Sequence, residues 1–235
     1  MHEKIFWNTR RGKKGFTLVE LLVVLVVLAI MAAILVPSLT GYIKTARKKR
    51  YVNDAQYAIT AAQAVMAELY GLGPGPMTNA ANGSQGGGSA GDVRWDTGLS
   101  GNSAENIAWG DRVLQLMDRG RGDANDEPYI LIFGVGKRDS ELTQSQELTV
   151  YYIAYVEDRN SPAVFYIDGE WIYQYPTDCG AIVKRNGTNY MQTDEGEIPL
   201  QFYVVSQRTG ISDNFWTNIN DSRSLRSHCE PYFKW

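Results

Sequence analysis

The feature that most constrains this chain is an apolar stretch near its N-terminus. From Phe16 to Val36 the sequence is apolar except for Thr17 and Glu20. A helix over these residues extends about 31 Å, which matches the hydrocarbon core of a bilayer. We therefore expect a helix that spans a membrane.

The distribution of charge predicts how that helix is oriented. Five basic residues and one acid precede the span, five more basic residues lie at 44–50, and residues 51–235 contain 13 basic and 24 acidic residues. Because positive residues that flank a first span stay in the cytoplasm, we expect a cytoplasmic N-terminus and an exported remainder. We interpret 44–50 as a solvated helix face that also contacts lipid headgroups. The acidic remainder argues against direct nucleic acid binding, because affinity for phosphate comes mainly from Lys and Arg.

The helix is predicted to continue beyond the span. Pro37 and Gly41 weaken it locally, and they either kink it or let it stretch in a fibre. Apolar residues then recur at spacings of three and four, as on one face of a helix: Val52, Ala55, Ile59, Ala62, Met66 and Leu69. The Gly- and Pro-rich stretch after Tyr70 ends this pattern.

The second half of the chain is typical of a β domain. Its aromatic, strand-like runs are Tyr129–Val135, Leu148–Val156, Ala163–Ile167, Trp171–Tyr175 and Pro199–Ser206. Asp168 and Gly169 predict a tight hairpin turn, and a short helix is expected over Ser103–Asp118. The fold class is therefore α+β, with the apolar stripe of the long helix packed on one face of an antiparallel sheet.

These patterns divide the chain into five segments. They are a basic leader at 1–15, a transmembrane or assembly helix at 16–36, its amphipathic continuation at 37–70, a Gly-rich loop at 71–102, and a globular antiparallel β domain with a short helix at 103–235.

The junction of leader and span carries a recognisable motif. The string KKGFTLVELLVVLVVLAI, which begins at Lys13, closely resembles the type IV prepilin signature. The resemblance implies that a prepilin peptidase cleaves between Gly15 and Phe16 and N-methylates Phe16. It further implies assembly by an ATP-driven inner-membrane platform into filaments or short pseudopili. The resemblance is specific over about residues 10–50, and beyond residue 71 only the general architecture is shared.

The chemistry of these residues suits that implication. Gly15 has no side chain, so a peptidase can approach its backbone closely. Cleavage there keeps the apolar helix, whereas an ordinary signal peptide is cut after its apolar core. Glu20 costs ~2.5 kcal/mol or more near the centre of a bilayer. We expect it to pair with the new Phe16 amine of a neighbouring subunit and thereby to favour one axial stagger. The alternative is a tolerated acid that reaches the headgroups.

Two cysteines, Cys179 and Cys229, fit no zinc pattern. In an exported chain a disulfide between them would close a loop of about 50 residues, worth roughly 3–4.5 kcal/mol. The alternative is two free buried thiols.

The remaining signals are weak. An acidic cluster lacks the spacing of a calcium-binding EF-hand, so we interpret it as a solvated turn; it consists of Asp123, Asn125, Asp126 and Glu127. The adjacent Arg121-Gly122-Asp123 matches an adhesion tripeptide that also recurs by chance. No metal cluster, nucleotide loop or catalytic triad is evident, so we expect neither a cofactor nor an enzyme.

Three functional hypotheses remain. The first is a filament subunit that assembles with itself and with other pilins for adhesion, motility or aggregation. It would be a single-pass inner-membrane protein before assembly and part of an extracellular pilus afterwards. The second is a pseudopilin or minor pilin of a secretion or DNA-uptake machine. The third is an uncleaved, membrane-anchored binding domain.

Overall fold

The computed structural model describes most of the chain in nine stretches. They are residues 15–73, 92–97, 103–123, 126–138, 141–158, 161–172, 182–185, 188–194 and 196–207. The chain divides between Arg47 and Lys48 into two compact units. Cys179 and Cys229 lie outside the described residues, so their disulfide stays a prediction.

The first element is a single long helix, α1, over Leu18–Gly71. It continues through Pro37, although proline lacks a backbone donor. The hydroxyl of Thr40 donates to the carbonyl of Pro37 at 2.8 Å. Gly73, with a φ of 95°, donates to the carbonyl of Tyr70 at the C-terminal end of the helix. The predicted continuous helix is confirmed.

In the stretches that the structure describes, the remaining elements are two helices and eight strands. In chain order they are β1 (Asp92–Arg94), α2 (Ala104–Leu116), β2 (Ile130–Gly136), α3 (Gln144–Leu148), β3 (Val150–Val156), β4 (Val164–Ile167), β5 (Glu170–Ile172), β6 (Ile182–Arg185), β7 (Thr188–Thr193) and β8 (Gly196–Gln207). The strands form one sheet in the order β5-β4-β3-β2-β8-β7-β6. The predicted α+β class is confirmed.

β8 is the longest strand, and it organises the sheet. β2 pairs antiparallel along one side of it. On its other side, β7 pairs antiparallel with Gly196–Leu200, and β1 pairs parallel with Phe202–Val204. The sheet is antiparallel as predicted except at β1, which lies within the stretch predicted as loop and adds one parallel pair.

Local turn chemistry was predicted correctly at one hairpin. β4 and β5 are joined by Asp168 and Gly169, whose φ values are 45° and 89°. Two consecutive positive φ angles match the twist of a two-residue hairpin, and Asp-Gly tolerates them. By contrast, the start of the predicted strand at Leu148 is helical. There the hydroxyl of Thr143 caps α3, and the backbone N–H of Thr143 donates to the side chain of Gln146 at 2.9 Å.

The core lies on both faces of the sheet. One face packs against the second half of α1, where Ala55, Ala62 and Met66 are fully buried beside Phe133 and Tyr155. This confirms the predicted packing of the helix stripe. The opposite face is also buried, and its side chains include Ile132, Phe165 and Phe202. Burial on both faces explains why β2 and β3 are almost continuously apolar.

Candidate functional site

The first half of α1 exposes an extended apolar surface. Every large apolar side chain from Phe16 to Ile43 is between 48% and 79% exposed. Within the described residues, α1 is the one helix long and apolar enough to cross a membrane, and its most apolar window has a mean hydropathy of 3.2. An unpartnered apolar surface of this size needs lipid or other protein to cover it.

The N-terminal end of this surface is organised by Thr17 and Glu20. The carboxylate Oε2 of Glu20 accepts hydrogen bonds from the backbone N–H and the hydroxyl of Thr17, both at 2.8 Å. The N–H of Glu20 donates to the hydroxyl of Thr17 at 3.3 Å. Thr17 precedes the first helical residue, so this reciprocal pair is a capping box.

The capping box gives Glu20 a local role that the sequence reasoning missed. The signal was present, because a Thr followed three residues later by Glu before an apolar run is the sequence signature of this cap. A carboxylate in the first turn also interacts favourably with the helix dipole. Within the described residues Oε1 of Glu20 accepts no hydrogen bond, so one oxygen remains available to a further donor.

The residues at the expected cleavage site lie just before the helix. Gly15 and Phe16 are exposed, and a Cβ placed on Gly15 would meet nothing within 4 Å. The backbone there is therefore open to an approaching molecule. The assignment of these two residues as cleavage and methylation positions stays a prediction.

Pro37 and Gly41 both lie inside α1 rather than at its end. The hydroxyl of Thr45 donates to the carbonyl of Gly41 at 3.1 Å, and Thr40 does the same for Pro37. These bonds give two carbonyls near the helix-weakening residues an additional partner. The proposed flexibility at Pro37 and Gly41 stays a prediction.

Basic residues follow on the same helix and differ in what they contact. Lys44, Arg47 and Lys49 are exposed and form no ion pair within the described part of the chain; we call these three residues the basic collar. Arg50 instead donates to the carboxylate of Glu157, next to the end of β3. This carboxylate is the main cause that raises the pKa of Arg50 above its ordinary value.

The Arg50–Glu157 pair belongs to a wider group that holds α1 to the sheet. Arg119 lies 3.7 Å from Glu157 and 3.8 Å from Asp54, and Arg50 lies 3.9 Å from Asp54. One helical residue further, the hydroxyl of Tyr51 accepts a hydrogen bond from Ser161 at 3.3 Å. These polar contacts lie at the N-terminal limit of the buried stripe of α1.

The acidic turn is structural, and its interpretation as a solvated turn is corrected at Glu127. Glu127 is only 7% exposed and accepts hydrogen bonds from Arg121, the N–H of Gly122 and the hydroxyl of Ser206, so it does not belong to a solvated turn. The side chain of Arg121 is 11% exposed and donates to the carbonyls of Trp95 and Val205. It is therefore not presented as part of an adhesion tripeptide. Asn125 lies outside the described residues.

Comparisons with known proteins concern the N-terminal part of the chain. Residues 10–36 match the prokaryotic N-terminal methylation motif. The chain is also similar to the type IV wide pilus major component PilA4 of Thermus thermophilus, with 48% identity over 48 residues, which cover 19% of this chain and 37% of that protein. The chain thus spans little more than a third of the length of this curated relative. No solved structure matches the chain.

Proposed function

We propose that this chain, whose N-terminal segment is that of the type IV pilin family, is a structural subunit of a type IV pilus filament. The observation that carries the proposal is the exposed apolar half of α1, most of which lies within the stretch that matches the methylation motif. Neighbouring copies would cover this surface in the filament core, as lipid covers it before assembly. The length and apolarity of the span support a precursor anchored in the inner membrane.

Processing would create a free N-terminal amine, which is the partner that Glu20 needs in a neighbouring copy. A prepilin peptidase cleaves after Gly15, which frees and then methylates the amine of Phe16. Glu20 keeps Oε2 in the capping box with Thr17, while Oε1 accepts the amine of a neighbouring copy. Each charge alone is costly in an apolar core, so the pair favours the one stagger that brings both together. The inner-membrane assembly platform would supply the subunits in succession.

The C-terminal sheet domain would be the surface of the filament. Its polar contacts to α1 are made by Arg50 and Tyr51, in the second half of the helix. Similarity to a protein named as a major pilus component supports a pilin over a pseudopilin.

The decisive experiment is mass spectrometry of the N-terminal peptide from sheared surface fibres and from membranes of the producing cells. We expect a peptide that begins with methylated Phe16 and is abundant in the sheared fraction. The same peptide confined to membranes would favour a pseudopilin, and an intact Met1 end in both fractions would overturn the proposal.

Glu20→Ala separates processing from assembly. We expect cleavage after Gly15 to continue and fibre yield to fall sharply, because the Phe16 amine loses its partner. Glu20→Gln is the matched control, since it retains the shape and the capping acceptor but not the charge. Normal fibres from Glu20→Ala, in cells without a wild-type copy, would contradict the role of Glu20 in setting the stagger.

A further inference from the structure

A groove lies beside α1 where α2 ends. It has a volume of about 410 Å³ and is lined by Asp54, Tyr57, Leu116, Met117, Asp118 and Arg119. Tyr57 is 64% exposed and Leu116 is 43% exposed, so part of the lining is apolar surface open to solvent. All of these residues belong to the C-terminal compact unit.

The carboxylates of this groove are poorly satisfied within the chain. Oδ2 of Asp54 is buried without a hydrogen-bond partner, and the nearest guanidinium nitrogens, on Arg119 and Arg50, are 3.8 and 3.9 Å away. Asp118 is exposed, has a φ of 57°, and its carboxylate forms no ion pair with any described residue. A buried carboxylate oxygen without a donor is costly, so a donor from outside the chain would stabilise the groove.

The same chain carries cations that lack partners. Lys44, Arg47 and Lys49 of the basic collar are exposed and unpaired among the described residues, whereas Arg50 is held by Glu157. The carboxylates of the groove in one copy are therefore complementary in charge to the unpaired cations of another copy. A second copy is therefore the partner that fits this charge pattern.

The stagger of the proposed filament brings these groups to one level. Pairing of the Phe16 amine with Glu20 of a neighbour shifts parallel α1 helices by four residues, about 6 Å. The same shift places Lys49 of one copy level with Asn53 of its neighbour, one residue from Asp54. A lysine side chain is long enough to reach across that remaining difference.

We infer that this groove is a docking site for Lys49 of a second copy. The apolar stem of Lys49 lies across Tyr57 and Leu116, and its ammonium group donates to Asp54 and Asp118. This contact rests on the proposed filament. It adds a polar interaction outside the apolar core that selects the same stagger as Glu20.

The test is a charge exchange in cells that express only the variant chain. Lys49→Glu and Asp118→Lys are each expected to lower the yield of sheared fibres, relative to the membrane pool, by roughly fivefold or more. The double variant restores opposite charges between positions 49 and 118 but leaves Asp54 facing a glutamate, so its yield should rise clearly above that of either single variant without reaching that of wild type. Asp118→Asn, which tolerates a positive φ, should lower the yield without a risk to folding.

A matched control separates this contact from general charge effects. Asp194→Lys makes the same charge change as Asp118→Lys on another exposed residue and should leave the yield nearly unchanged. Unaltered yield in Lys49→Glu, or no rescue in the double variant, would overturn the inference. Loss in Lys49→Glu but not in Asp118→Lys or Asp118→Asn would also overturn it and point to lipid headgroups as the partner of Lys49. A wild-type chain that forms no fibres would overturn the proposed function, and the docking site with it.

Discussion

The two carboxylate oxygens of Glu20 have different partners: one contacts Thr17 of the same chain, and the other is proposed to accept the Phe16 amine of a neighbouring copy. Oε2 accepts both hydrogen bonds from Thr17, and Oε1 is left for a donor from outside the helix. The capping box therefore fixes where the carboxylate lies before any neighbour arrives. Thr17 acts through Glu20, as a positioning residue for the proposed contact.

Thr17→Val is expected to loosen the start of α1. The valine side chain has the same shape but lacks the hydroxyl, so the capping interaction, worth about 0.5–2 kcal/mol, is lost. Amide hydrogen exchange in detergent micelles should be faster at Leu18–Glu20 in this variant, while Thr17→Ser should behave as wild type. Equal exchange in Thr17→Val and wild type would show that the box does not hold the helix start.

Tyr155 is a second residue whose environment makes a definite prediction. Its side chain is fully buried, its hydroxyl has no hydrogen-bond partner, and burial raises its pKa above the ordinary value of about 10. Burial disfavours ionisation of the tyrosine in the folded state. The free energy of unfolding is therefore unaffected by this group below pH ~10 and falls as the pH rises further. The buried Tyr203 behaves in the same direction.

Tyr155→Phe is therefore expected to raise the free energy of unfolding at pH 7 by about 1 kcal/mol, because the buried hydroxyl has no hydrogen-bond partner and its removal ends a desolvation cost. Above pH ~10 the variant should lose less stability than wild type, since one buried ionisable group is gone. Chemical denaturation of the full chain in detergent at pH 7 and at alkaline pH measures both effects. An identical alkaline loss in both proteins would contradict the assignment.

At the scale of elements, Arg121 links α2 to the sheet through polar contacts. Arg121 pairs with Asp111 of α2 and with Glu127, and it donates to carbonyls at the end of β1 and in β8. Gly110 permits this close approach, because a Cβ there would lie 2.1 Å from the carbonyl oxygen of Trp95. The planar guanidinium supplies several donors in fixed directions, which a lysine cannot reproduce.

Arg121→Lys is expected to lower the free energy of unfolding by about 2–4 kcal/mol, since buried carboxylate and carbonyl groups lose donors. Arg112→Lys, which changes an arginine of α2 itself, is the matched control. Arg112 is exposed and pairs with Glu68 at 3.2 Å, so its replacement should cost less than about 0.5 kcal/mol. Equal losses in the two variants, measured by denaturation, would contradict the central position of Arg121.

At the scale of the whole molecule, the division between Arg47 and Lys48 separates two kinds of surface. The N-terminal unit exposes its apolar residues, whereas the C-terminal unit buries its apolar residues on both faces of the sheet. The first needs lipid or other copies, and the second has a core of its own.

A chain that begins at Lys48 is therefore expected to be soluble and monomeric without detergent and to unfold cooperatively. It keeps Arg50, Tyr51 and the whole buried stripe from Val52 onward. A chain that begins at Ala61 loses the first part of that stripe and should be markedly less stable. Size-exclusion chromatography and thermal denaturation test both, and aggregation of the longer chain would contradict the division.

Much of the fold and of the candidate site could be predicted from local sequence patterns. The long helix, the short helix α2, the hairpin at Asp168 and Gly169, and most strand positions were predicted, because each depends on consecutive residues. β1, α3, β6 and β7 were missed. β1 has only three residues and lies in a stretch rich in glycine, so its pairing with β8 leaves no periodic signal.

The sequence by itself determined the N-terminal end of this protein: a span of bilayer length, its flanking charges, the N-terminal methylation motif and the Thr17–Glu20 spacing. These features are local, since covalent order alone brings their residues together along one helix. Only the tertiary structure decided the pairing of Arg50 with Glu157, the burial of Arg121 and Glu127, and the groove at Asp54 and Asp118. Their partners are distant in the chain and meet only because the sheet and helix pack, a geometry that no local spacing encodes.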